Sequence, residues 1–137
     1  MSRAALVVPV LWVALRALAA DDCGAALQAP KPWIAEGDDA RVAFVPRPSP
    51  PPVGQHFNVD FVVCANSPLR SDTAIQVDAD MPAHRHGMNY RASVTSLPGG
   101  IYRAEGLMFH MPGRWRMIFD LPLEGRTLRL TRDIEVQ

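Results

Sequence analysis

The chain has 137 residues, a length typical of one domain, and 48% of them are hydrophobic, which excludes a chain that is disordered throughout. It carries 14 basic and 14 acidic side chains and no basic run. It therefore lacks the positive field that nucleic acid or anionic lipid requires. Thirteen prolines and nine glycines favour short elements joined by turns.

The first twenty residues are typical of an export signal. Arg3 supplies the positive start, residues 4–15 are apolar, and Ala17, Ala19 and Ala20 provide small residues for cleavage. This apolar stretch is too short to cross a bilayer, which takes about 20 residues. We expect a cleaved signal peptide over residues 1–20 and a periplasmic or secreted mature protein without a stable membrane anchor. An uncleaved anchor is the alternative.

The two cysteines, Cys23 and Cys64, form an even pair in a chain expected to reach an oxidising compartment. We predict a disulfide between them, which would fasten the N-terminal segment to the strand that carries Cys64. Closing a loop of this length would restrict the unfolded chain by roughly 4 kcal/mol. Thiolate metal ligands are the weaker alternative, because the chain has no CxxC spacing.

The remaining chain reads as a succession of short strands. One short helix is indicated at 22–29, and Pro30 and Pro32 end it. A strand at 41–45 precedes an extended proline-rich segment at 46–52. Alternating apolar positions then predict further strands, with a short apolar run at 107–109; these lie at 57–63, 73–78, 90–94, 100–104, 115–119 and 128–136. Seven or eight such strands separated by turn signals predict an all-β, immunoglobulin-like antiparallel sandwich.

The residues that carry chemistry begin in the segment 81–88, which reads MPAHRHGM. If its backbone is extended, His84 and His86 point to the same side with Cα atoms about 6.6 Å apart, so that both can reach one ion. Met81 and Met88 bracket the pair, and thioethers are soft ligands that favour Cu(I) over Zn(II) or Mg(II). The segment therefore indicates a copper site.

A second cluster, His110 and Met111, opens the turn before the strand of Trp115, and folding can bring it beside the first. His56 is a further candidate ligand. Each of these residues also has a structural interpretation. Methionine commonly fills cores, a His-x-His pair can be solvated, and Gly87 can serve a turn that needs positive φ.

Enzyme activity is a different class of function for which these residues can be considered. Asp78 and Asp80 lie on one side of a strand, which suits a solvated strand end or carboxylates that orient the imidazoles. The chain has no nucleophile elbow, phosphate-binding loop or HExxH motif, and thioethers fit a hydrolytic metal site poorly. We expect that the protein is not an enzyme.

Three segments together resemble the YtkA-like domain family. They read MPAHRHGM at 81–88, GIYRAEGL at 100–107 and FHMPGRW at 109–115. The resemblance runs in order from residue 53 to 137 and implies an exported immunoglobulin-like sandwich linked with copper or respiratory-oxidase handling. Arg85 stands where a small residue is frequent in that family, and its charge would oppose a bound cation.

These observations predict a signal peptide at 1–20, a lead-in and proline-rich segment at 21–52, and a YtkA-like sandwich at 53–137. The predicted function is copper binding by an exported carrier or assembly accessory factor. Its candidate ligands are His84, His86, Met81, Met88, His110 and Met111. The expected partners are the metal ion and an envelope or respiratory-complex protein, and not nucleic acid. A structural or interaction module of the cell envelope, with the motif serving as a turn, is the alternative.

Overall fold

The computed structural model describes residues 22–137, and the predicted signal peptide lies outside them. Nine strands form two antiparallel sheets. They are β1 (Trp33–Glu36), β2 (Ala40–Arg47), β3 (His56–Ala65), β4 (Gln76–Met81), β5 (His86–Gly87), β6 (Ser93–Leu97), β7 (Ile101–Met108), β8 (Gly113–Leu123) and β9 (Arg126–Val136). The first sheet has the order β1-β2-β3-β7-β6, and the second has the order β5-β4-β8-β9. Two 3-10 turns, Ala25–Leu27 and Pro82–His84, are the helical elements of the described residues.

The predicted all-β, immunoglobulin-like antiparallel sandwich is confirmed, with nine strands where the sequence indicates seven or eight. The additional strands are β1 and the two-residue β5. Two others are displaced from their predicted positions, since β4 covers Gln76–Met81 where 73–78 was expected, and β6 covers Ser93–Leu97 where 90–94 was expected. Pairing with a neighbouring strand determines these bounds, as Gln76 opposite Asp120 shows for β4.

The core lies between the sheets and follows the alternation seen in the sequence. Phe57, Val59 and Phe61 of β3 are buried against the second sheet, which contributes Trp115 and Phe119. The rings of Phe61 and Phe119 have centroids 5.5 Å apart. Contacts of this kind across both sheets form a single packed interior that holds the strand ends and their loops in place.

The first sheet is also covered on its outer face. The segment around Leu27 packs there against Ala43 and Val45, and all three are buried. The Cys23–Cys64 disulfide, with Cα atoms 6.0 Å apart, fastens this segment to β3, so the predicted pairing is confirmed. We call this surface the lead-in face. The predicted helix at 22–29 amounts to the single turn Ala25–Leu27, and the sheet begins before residue 53, since β1 and β2 belong to it.

An ion cluster completes the lead-in face. Asp60, only 7% exposed, accepts hydrogen bonds from Arg103 Nε at 2.7 Å and Nη2 at 3.0 Å. Arg47 Nε donates to the same carboxylate at 3.3 Å, and its Nη2 donates to Leu27 O at 3.3 Å. The hydrogen bond from Arg103 in particular holds the pKa of Asp60 below its ordinary value, against the opposing effect of burial.

No helix within residues 22–137 has the length and apolar character needed to span a bilayer.

Candidate metal centre

The His-x-His segment lies in a tight turn rather than on an extended strand. β4 ends at Met81, and Pro82 opens the 3-10 turn that carries His84. Arg85 then adopts a left-handed conformation, φ 53°, and its N–H donates to Pro82 O at 3.2 Å. His86 pairs back with Met81 across the β4–β5 ladder. The extended His84–Arg85–His86 on which the predicted ring placement was conditional does not form, because the chain turns within these three residues.

The residue with positive φ in this turn is Arg85, whereas the sequence suggested Gly87. Gly87 lies in β5 with ordinary strand geometry opposite Asp80. A left-handed conformation costs a residue with a side chain about 1 kcal/mol or more. Strain of this kind persists only where the surroundings impose it, and such positions cluster at functional sites.

Three imidazoles come together at this end of the sandwich. The ring centroids of His84 and His86 are 5.7 Å apart, and those of His86 and His110 are 4.8 Å apart. His86 is half-buried between two exposed neighbours. The structure thus places His110, from the loop between β7 and β8, beside the β4–β5 turn. His56 begins β3 at the same end, so all four histidines of the chain lie there, and we call this region the histidine end.

An indole forms the inner wall of the cluster. Trp115 is fully buried, and its ring centroid lies 5.8 Å from that of His86 and 5.3 Å from that of His110. Its Nε1 donates to Met111 O at 3.0 Å, which fixes both the indole and the loop. His84, by contrast, is exposed and does not pack against this wall. The sequence analysis did not assign Trp115 this role, although its spacing from His110 and Met111 was the available signal.

His86 carries the most unusual polar atom of the cluster. Its Nδ1 is buried and has no hydrogen-bond partner. A buried polar atom without a partner costs about 1–3 kcal/mol, and most such atoms in native proteins are paired. Among the buried side-chain nitrogens and oxygens of residues 22–137, this is the one left in that state.

The methionines of the motif divide into two kinds. Met81 is 2% exposed within the core, and its Cε lies so close to Gly113 that a Cβ there would approach it to 2.8 Å. This burial favours packing over ligation for Met81. Met88 and Met111 are half-buried at the edge of the core, each within two residues of a histidine in the sequence. Their thioethers are the soft donors that the histidine end can offer.

The nearby carboxylates are engaged elsewhere. Asp80 accepts two hydrogen bonds from Arg116, at 2.9 and 2.6 Å, and Asp78 Oδ1 accepts from the backbone N–H of Ala79 at 2.7 Å. Neither carboxylate orients an imidazole, so that suggestion from the sequence is wrong. Within residues 22–137, no three or more His, Cys, Asp and Glu side chains are arranged to hold a metal ion.

His56 does not join the chain of imidazole contacts. Its ring meets Tyr90 edge-on, with centroids 4.7 Å apart. Tyr90 is 44% exposed and lies in the segment between β5 and β6, which the sequence analysis did not associate with His56. Only the fold could reveal this contact, because the first residue of β3 and the segment between β5 and β6 are distant in sequence.

Known proteins resemble this chain at the level of a family profile and of a solved structure. A DUF4426 family protein from Pseudomonas aeruginosa PAO1 aligns with a TM-score of 0.49 and 13% identity, over 77% of this chain and 96% of that chain. This similarity is too distant to carry a functional argument. No match was found among curated proteins. The profile of the YtkA-like family matches residues 34–120, which is more than half of the chain. The chain therefore belongs to the YtkA-like family.

Proposed function

We propose that the protein is an exported, non-enzymatic Cu(I)-binding domain that serves as a copper carrier or assembly accessory factor. The ion is held by His86 and His110 together with the thioether of Met88 or Met111. His84 stands at the exposed rim of the same cluster. The observation that carries this proposal is the buried, unpartnered Nδ1 of His86, since coordination would satisfy it.

The donor set supports copper in particular. Imidazole nitrogen suits copper in either oxidation state, and thioether sulfur favours Cu(I) and adds little affinity for Zn(II). The carboxylates that a hard cation would prefer are bonded to Arg116 and to the backbone. Copper, when bound, supplies a soft ion that can change oxidation state.

The arrangement of the histidines suits an ion that must enter and leave. His86 is half-buried against the fixed Trp115 indole, while His84 and His110 are exposed. The outer imidazoles can exchange the ion with a partner, and the inner one shields it. We propose an envelope or respiratory-complex protein as that partner, and a periplasmic or secreted location. The disulfide supports this location, because such bonds persist in oxidising compartments.

Titration of the purified protein with Cu(I) against a competing chelator tests the proposal. We expect one tight equivalent at the centre. Its affinity should fall in the His84→Ala/His86→Ala variant by more than the roughly 10- to 100-fold that loss of an outer-shell partner causes, because His86 is a direct ligand. The combined Met88→Leu/Met111→Leu variant should weaken binding, whereas Met117→Leu is the control in the buried core. Absence of Cu(I) binding, or an unchanged affinity in the double histidine variant, would contradict the proposal.

The alternative function is a structural or interaction module of the cell envelope without a metal. It is supported by the burial of Met81 and by the turn at 82–85, which would form whether or not an ion is present. For this module, His86 and Trp115 are packing partners only. The same titration separates the two functions, because a structural module would show no histidine-dependent uptake of Cu(I).

A further inference from the structure

His56 and Met108 form a second pair of nitrogen and sulfur donors at the histidine end. They are direct partners across the β3–β7 ladder, so their side chains lie on the same face of the sheet. The next pair in the ladder, Phe57 and Leu107, is buried in the core. Because side chains alternate along a strand, His56 and Met108 face away from the core. His56 is exposed and Met108 is half-buried.

We propose that His56 and Met108 form a second, outward-facing Cu(I) site that passes the ion to the His86–His110 centre. Soft thioether and imidazole donors suit Cu(I), and their position on the outer face leaves room for a donor protein to approach. The ion remains Cu(I) throughout and exchanges one nitrogen and sulfur pair for another, so no electron is transferred. This inference rests on the proposed function of the centre, since it concerns how that centre is loaded.

Tyr90 packs beside His56 in the outer pair, which is formed by His56 and Met108. Its ring meets that of His56 edge-on at 4.7 Å, and it is the exposed large hydrophobic residue of the described chain. The segment that carries Tyr90 passes close to β7, since a Cβ on Gly106 would lie 3.8 Å from Arg91 O. The contact restricts the imidazole of His56 on the face it shares with Met108.

Two short stretches of chain connect the outer pair to the centre. Met108 precedes His110 by two residues, which in extended chain puts their Cα atoms within about 7 Å. Phe109 between them is fully buried, and its carbonyl accepts a hydrogen bond from Gly54 N at 2.7 Å. This bond fastens the start of β3 to the end of β7. On the other side, Tyr90 follows Met88 by two residues.

Cu(I) titration and methionine methyl NMR test the proposal on the full mature protein. Wild type should take up two equivalents of Cu(I), and His56→Ala/Met108→Leu should take up one. The remaining equivalent should load more slowly from a Cu(I) chelate. Ag(I), a redox-inert probe of Cu(I) sites, should shift the methyl resonance of Met108 in wild type, which requires no variant to fold. His86→Ala/His110→Ala should retain the outer equivalent.

The outcomes distinguish the two proposals. A single equivalent in wild type that is lost in His86→Ala/His110→Ala, with the Met108 methyl unmoved, would overturn the outer site and leave the centre intact. Uptake that depends on His56 and Met108 but not on His86 and His110 would support the outer site and contradict the proposed centre. An unshifted Met108 methyl with no Cu(I) uptake would overturn both.

Discussion

The lead-in face and the histidine end treat their buried polar atoms in opposite ways. On the lead-in face, the Asp60 carboxylate receives hydrogen bonds from both Arg47 and Arg103. At the histidine end, the Nδ1 of His86 is also withdrawn from water and receives none. Burial of a polar group without a partner is unfavourable, so the first arrangement stabilises the fold, whereas the second costs stability.

The two regions therefore differ in whether their buried polar atoms already have partners within the protein. On the lead-in face, the disulfide and the hydrogen bonds of Asp60 are formed entirely within the protein. The histidine end has an incomplete set of interactions, held in place by the Trp115 indole and by the left-handed Arg85. Unsatisfied polar atoms of this kind are frequently found where a ligand binds. Left-handed backbone does not separate the regions, since it occurs at Gln28 on the lead-in face and at Arg85 at the histidine end. The contrast supports the proposal that the histidine end binds an ion, while the interactions of the lead-in face stabilise the fold.

The largest expected effect lies on the lead-in face. Cys23→Ala/Cys64→Ala removes a cross-link between residues 41 positions apart, which should lower the free energy of unfolding by roughly 4 kcal/mol. Denaturant unfolding measures this loss. The Cu(I) affinity of the refolded variant should be unchanged, because the disulfide lies outside the histidine end. A loss of affinity in the folded variant would break the proposed separation of the two regions.

Removal of the carboxylate charge on the same face should have the next largest effect. Asp60→Asn leaves Arg47 and Arg103 with a neutral partner and should destabilise the protein by about 2 kcal/mol, as expected for charged hydrogen bonds at a part-buried site. Asp72→Asn is the matched control, since Asp72 pairs with Arg70 on the exposed surface. That substitution should have little effect on the free energy of unfolding, because an exposed ion pair is screened by solvent. Equal losses in thermal or denaturant unfolding would contradict the structural role of Asp60.

The same carboxylate predicts how stability depends on pH. The pKa of Asp60 is lowered in the folded state, chiefly by the hydrogen bond from Arg103. The carboxylate's contribution to the free energy of unfolding is therefore complete above its unfolded-state pKa, near pH 4. That contribution is lost as the pH falls through the lower pKa of the folded state. Wild type should lose more stability than Asp60→Asn between about pH 5 and pH 2. Parallel pH profiles of the free energy of unfolding would show that Asp60 makes no such contribution.

At the histidine end, removal of a buried polar side chain should not lower the free energy of unfolding. His86→Leu replaces an unsatisfied imidazole with an apolar side chain of similar volume, so the metal-free protein should keep or gain about 1 kcal/mol of stability. Cu(I) should stabilise wild type and have little effect on this variant. Thermal unfolding with and without Cu(I) measures both quantities. A large destabilisation of the metal-free variant would indicate that His86 is a packing residue.

The smallest expected effect concerns Arg85. Arg85→Gly relieves the left-handed strain but loosens the unfolded chain, so we expect a net gain of about 0.5 kcal/mol or less. It also removes a positive charge near the centre, which should raise Cu(I) affinity a few-fold at low salt. Arg85→Gln keeps the strain and removes the charge, so it separates the two effects. A weaker affinity in both variants would show that the guanidinium assists binding.

The strands that could be predicted were those whose alternation is visible locally. Phe57, Val59 and Phe61 alternate with polar residues in β3, and Trp115 and Met117 follow Arg114 and Arg116 in β8. β1 could not be recognised because four residues after two prolines give too short a pattern. β4 and β6 were displaced because their bounds depend on partners distant in sequence.

The candidate site was predictable in composition but not in geometry. Nearness of His84, His86 and the motif methionines is a property of the sequence, while the contact with His110 depends on the packing of two loops. The turn at Arg85 was not foreseen, since a residue with a side chain rarely adopts positive φ. The burial of Met81 and the outward pairing of His56 with Met108 likewise depend on long-range register.

X-ray absorption spectroscopy at the copper edge tests the central claim most directly. For the Cu(I)-loaded protein, we predict a first coordination shell that contains both imidazole nitrogen and thioether sulfur. His86→Leu should remove nitrogen from the shell of the centre, and a combined Met88→Leu/Met111→Leu variant should remove sulfur. The His56→Ala/Met108→Leu background isolates the centre for this comparison. A shell without sulfur, or one unchanged by His86→Leu in that background, would contradict the assignment of copper to the histidine end.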